Sequence, residues 1–215
     1  MRLATLILSL AAACALVPAA AAAQSIISDP AAALSTRDIS PAAQARDSMN
    51  RYAECIVKTH TTAVRRALSE TAPAAVTIAL ANLADRDCLR DGELQMGTSL
   101  FRGALYRALY LRDFGTDAAL PPSDLALEPS SNPLLEFGNC VAAFDPAQTQ
   151  AFVVSKPATT AETEAITKLG ASFGRCVAPG NQAQFSRTVL QGALAEALYK
   201  RSAAIAARAE QAEVK

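Results

Sequence analysis

Apolar positions recur at three- and four-residue spacing through most of this chain, and the strict alternation of a half-buried strand is nearly absent. Met49, Tyr52, Ala53, Ile56 and Val57 make the first such series. They follow Ser40-Pro41, an N-cap with proline at the first helical position, which predicts a helix carrying Cys55. Val76, Leu80 and Leu83 form a stripe after Thr71, and Ile166, Leu169, Phe173 and Val177 form one after Thr159 or Thr160, with Glu162 placed to close a capping box on Thr159. Asp145-Pro146 repeats the cap signature beyond Cys140, at the place where His60-Thr61 stands beyond Cys55. A short helix is expected to start near each. With its alanine-rich, helix-favouring local code, the chain reads as all-α.

The segment "GALYRALY", Gly103 to Tyr110, returns as "GALAEALY", Gly192 to Tyr199, matching at six of eight positions. Upstream of each stand an aromatic, a cysteine, a variable stretch, a second cysteine and a glycine four residues later: "YAECIV" with "CLRDG", then "FGNCVA" with "CVAPG". The order predicts a tandem duplication of a disulfide-pinned four-helix module, residues 41–112 and 133–203. Between the copies, 113–132 is rich in proline, serine and aspartate and reads as a linker. Residues 24–40 read as a flexible arm and 204–215 as a tail.

Phe101, Ala104, Leu105, Ala108 and Leu109 form one stripe of the last helix, the face that packs within its own copy. Gly103, Tyr106, Arg107 and Tyr110 form a second face, repeated as Gly192, Ala195, Glu196 and Tyr199. Glycine inside a helix costs about 1 kcal/mol relative to alanine, so a merely solvated face would not keep it. The two second faces are expected to meet across a pseudo-two-fold axis, with Arg107 opposed to Glu196; the rival partner for Glu196 is Lys200, four residues on.

Composition changes the picture mainly at the N-terminus. Met1-Arg2 precedes an apolar run that closes on an A-x-A pattern, a signal peptide at 1–23, and Leu10 lies one position too far upstream for a lipobox at Cys14. Loss of Arg2 takes the formal net charge from +0 to −1. No Lys/Arg run suited to nucleic acid remains, and nothing after residue 23 reads as a membrane span. Cys55, Cys88, Cys140 and Cys176 are an even set in an exported chain, without C-x-x-C, and are expected to pair 55 with 88 and 140 with 176.

Other chemistry is sparse. His60 is the sole histidine and no nucleophile motif accompanies it. Asp85, Asp87, Asp91 and Glu93 miss the EF-hand offsets and read as a solvated turn. Glu162 and Glu164 point about 200° apart on a helix, and Arg65 and Arg66 read as surface charge. No catalytic residue, metal or cofactor is expected. The cysteine and "[RQ]-G-A-L-x-x-A-L-Y" pattern, over residues 51–112 and 136–201, resembles exported alphaproteobacterial proteins of unknown function, which implies an envelope location and no mechanism. The sequence thus favours a periplasmic or secreted interaction module for a protein, peptide or lipid partner, ahead of a hydrolase sited between the copies or a structural envelope protein.

Overall fold

The computed structural model describes residues 40–89, 93–125, 127–177, 180 and 184–213. The signal peptide, Cys14, the arm up to residue 39, Asp91 and Gly92 lie outside the described residues. Among those described, every regular element is helical: α1 (Pro41–Ser69), α2 (Pro73–Ala81), α3 (Thr98–Asp113), α4 (Pro133–Phe144), α5 (Pro146–Val154), α6 (Thr160–Cys176) and α7 (Arg187–Glu213), with a 3-10 turn at Arg86–Cys88 before α3. The start signals act locally. Ser40 accepts from the Ala43 N–H, Asn132 from Leu134, Asp145 from Gln148 and Thr159 from Glu162, and α1, α2, α4 and α5 each carry proline in the first turn.

The expected helix start at His60 takes the form of a kink: His60 is non-helical, at φ −126° and ψ 35°, and two helical segments join across it as α1. Thr61 follows with its N–H available and its hydroxyl bonded back to the Val57 carbonyl at 2.6 Å, whereas Pro146 has no N–H and leaves α4 and α5 separate around Asp145 (φ −138°, ψ 73°). The capping box at α6 is only half formed. The Glu162 carboxylate takes the N–H of Ala158, one residue before the cap, at 2.9 Å, and is claimed on its other side by buried Arg46 of α1 and by Arg187 of α7. Burial pushes this carboxyl up, but the Arg46 hydrogen bonds, the Ala158 N–H and the two guanidinium charges outweigh it and hold it below the usual range.

The two halves share one hydrophobic core instead of carrying one each. α3 lies between α1 and α7 and is buried all round from Phe101 to Tyr110 except at Arg102, so both of its faces are occupied. The 113–132 segment is irregular but anchored: buried Arg201 of α7 donates to the carbonyls of Pro122, Ser123 and Leu125. α7 continues through the expected tail to Glu213 and is exposed from Ala206 to Ala212.

Cys55 bridges to Cys88 and Cys140 to Cys176, with Cα separations of 5.6 and 5.7 Å. Each ties a first helix to the end of the segment before the Gly-Ala-Leu helix. Loops of 33 and 36 residues correspond to about 4 kcal/mol per bridge on the chain-entropy account.

Candidate functional site at the crossing of α3 and α7

Gly103 and Gly192 meet back to back. A Cβ built on Gly103 would lie 2.4 Å from the Cα of Gly192, and one on Gly192 would lie 3.0 Å from the Cα of Gly103. No side chain fits there, which is the physical reason both helices carry glycine in mid-span. A second glycine contact, not anticipated from the sequence, is Gly138 of α4, where a Cβ would stand 2.8 Å from the Ala193 carbonyl oxygen.

Beside the crossing, Arg102 forms a two-pronged ion pair with Glu196, Nε at 3.0 Å and Nη2 at 2.9 Å. The same Nη2 donates to the Tyr106 hydroxyl at 3.1 Å and the Leu68 carbonyl at 3.3 Å, and Tyr106 itself donates to Leu68. Lys200 adds a second cation, 2.7 Å from Glu196. Burial raises the Glu196 carboxyl, yet the Arg102 hydrogen bonds and the charges of Arg102 and Lys200 leave it below its usual range. Tyr106 is pushed above its ordinary value, first by burial and then by the charge of Glu196.

The expected opposition of Arg107 to Glu196 does not occur. Arg107 turns the other way, its Nε 2.9 Å from the Val153 carbonyl and its Nη1 2.7 Å from Glu54. Gln191, the residue before Gly192, reaches the Phe152 carbonyl at 3.3 Å. Leu68 and Val153 both lie at helix C-termini, where carbonyls have no partner within the helix. Those orphan carbonyls draw in Arg102 and Tyr106 on one flank and Arg107 and Gln191 on the other, and this decides which charges meet. The local pair, Glu196 with Lys200, is present in addition.

Among the other residues of the predicted face, Tyr199 packs on Tyr106 and Phe114 with ring centroids 5.6 and 5.8 Å apart and donates to Asp113 at 3.1 Å. Tyr110 is fully buried and accepts from Gln150 of α5 at 2.8 Å, and Ala195 is core. Five predicted residues thus gather at the seam: Gly103, Tyr106, Gly192, Glu196 and Tyr199. Arg107 and Tyr110 serve α5 instead. Arg102 and Gln191 were missed, although each immediately precedes its glycine and so flanks any contact made through it.

A cleft of about 460 Å³ opens where the end of α1 meets this seam, lined by Leu68, Tyr106, Leu109 and Tyr199, with Arg65 and Lys200 at its rim. His60 lies elsewhere, its Nε2 2.8 Å from Asp85, and that hydrogen bond, with one from the Asp87 N–H, holds the Asp85 carboxyl low. Among the described residues no group of three or more His, Cys, Asp or Glu is placed to hold a metal ion, and no helix is long and apolar enough to cross a membrane. No family model, curated protein or solved structure matches the chain.

Proposed function

We propose that this chain is an exported binding module, built by internal duplication around a pseudo-two-fold axis, which holds a peptide segment of a partner protein in the cleft beside Tyr106 and Tyr199. Several correspondences support the duplication: the bend at His60 and the break at Asp145, the two bridges, the paired glycines, and the capping of Leu68 and Val153 by side chains from α3 and α7. Export, to the periplasm or beyond, and kinship with the alphaproteobacterial proteins belong to the same proposal.

The observation that carries the binding reading is the cleft itself. Its floor is aromatic and aliphatic, its lining also carries Arg65, Lys200 and Glu70, with Arg65 paired to Asp113 and Lys200 to Glu196, and the buried charges beneath it are partnered as well. Tyrosine offers broad apolar contact with a polar tip and little conformational entropy to lose, which suits it to peptide side chains. An acyl chain would call for a deeper, enclosed apolar channel. The Glu196 carboxylate is engaged by Arg102 and Lys200, and this weighs against a hydrolase centred on it.

A random peptide library panned on the intact, oxidised protein tests the reading. The expected result is enrichment of peptides carrying an aromatic or aliphatic anchor, with affinity reduced about tenfold or more by Tyr199→Ala. Peptides indifferent to Tyr199→Ala would contradict it.

A further inference from the structure

The two disulfides occupy corresponding places in the fold but differ in access and in surrounding charge. Cys140 is the one bridged cysteine that is exposed; Cys55 and Cys176 are half-buried and Cys88 is buried in the core. Cys55 and Cys88 line a cleft of about 480 Å³ that also contains Glu54, Asp87 and Glu93. The sole cation among the described residues lining that cleft, Arg51, is paired with Asp47. Glu54 is paired with Arg107, but the carboxylates of Asp87 and Glu93 repel an incoming thiolate and disfavour the thiolate that would leave.

The Cys140–Cys176 bridge has the opposite setting. Arg175 adjoins Cys176, and its guanidinium is held 4.4 Å from the ring centroid of exposed Phe144, one turn after Cys140 on α4. Glu136, one turn before Cys140, is turned away to the Ser130 N–H and Asn139. The negative end of α6 opposes a thiolate at Cys176, and Arg175, the preceding residue, held at Phe144, is the cation nearest in sequence that can counter it.

We infer that Cys140 is a thiol-exchange site, at which the Cys140–Cys176 bridge opens to a small thiol such as glutathione while Cys55–Cys88 stays closed. The glutathione thiolate attacks Cys140 Sγ, forming a mixed disulfide; the Cys140–Cys176 bond breaks and its electron pair leaves on Cys176 Sγ, which takes a proton from water. A second glutathione thiolate attacks the glutathione sulfur and releases Cys140, so that two thiols are oxidised to one glutathione disulfide and the bridge is reduced by two electrons. The exposed position of Cys140 and the nearby Arg175 charge both favour this route.

The test uses the full exported chain with both bridges formed, incubated with reduced glutathione, quenched in acid, alkylated and peptide-mapped over time. The expected result is glutathionyl-Cys140 with alkylated Cys176, appearing about tenfold faster than any opening of Cys55–Cys88. Arg175→Glu should remove most of that difference and Arg175→Lys should keep it. Opening of both bridges at one rate, earlier loss of Cys55–Cys88, an adduct on Cys176 in place of Cys140, or insensitivity to Arg175→Glu would each overturn the inference.

Discussion

A methyl group on Gly103 would lie 2.4 Å from the Cα of Gly192, and because the obstacle is backbone it has no rotamer by which to escape. The helices must separate, and the packing of Tyr106 on Tyr199 is lost with the contact. Gly103→Ala is therefore expected to destabilise by about 3 kcal/mol, at the upper end of overpacking costs. Gly170 is the internal comparison. It lies in the interior of α6, exposed, with nothing within 4 Å of a built Cβ, so Gly170→Ala should stabilise by about 0.5–1 kcal/mol through helix propensity alone. Urea unfolding of the two variants checks both signs. Equal effects would show that the glycines at the crossing are not held there by contact.

Where α3 and α7 run together, their charges and carbonyls are matched between elements more than within them. The Arg102–Glu196 pair is nearly removed from solvent, with side-chain exposures of 18% and 4%, so Glu196→Gln should cost about 3 kcal/mol at neutral pH by leaving Arg102 underpaired. The Glu196 carboxyl is lowered in the folded state from an ordinary value of 4.5, so its contribution is fully present above that pH and is lost as pH falls through the lower folded value. In urea unfolding at a series of pH values, the gap between wild type and Glu196→Gln should be constant above about pH 5.5 and close on acidification. Parallel curves down to about pH 3 would contradict the assignment. The all-helical class, both bridges and the glycine contact were legible in the sequence, because caps, cysteine order and glycine in mid-helix are local signals. The choice of Arg102 over Arg107 was not. It depends on where the ends of α1 and α5 leave unpaired carbonyls, and no periodicity within α3 records that. The Arg46–Glu162 pair was hidden for the same reason, its partners being 116 positions apart.

At the scale of the whole molecule, the central claim is that the glycine crossing fuses the N-terminal and C-terminal halves into one folding unit and thereby holds the Tyr106–Tyr199 cleft in shape. The core runs through both halves, and α3 touches α1 of its own half and α7 and α5 of the other. Arg201 further fastens the connecting segment to α7, which removes the hinge a linker would provide. A fused core predicts a single cooperative transition, in which weakening the crossing lowers the stability of both halves alike. The measurement that tests this most directly is native-state hydrogen exchange by mass spectrometry on wild type and Gly103→Ala, with both bridges intact. The account predicts that the slowest amides of α1 and of α6, neither of which contains the substitution, lose protection by the same factor. Loss confined to α1, α2 and α3, with α6 keeping its wild-type protection, would show two independently stable modules and contradict the account.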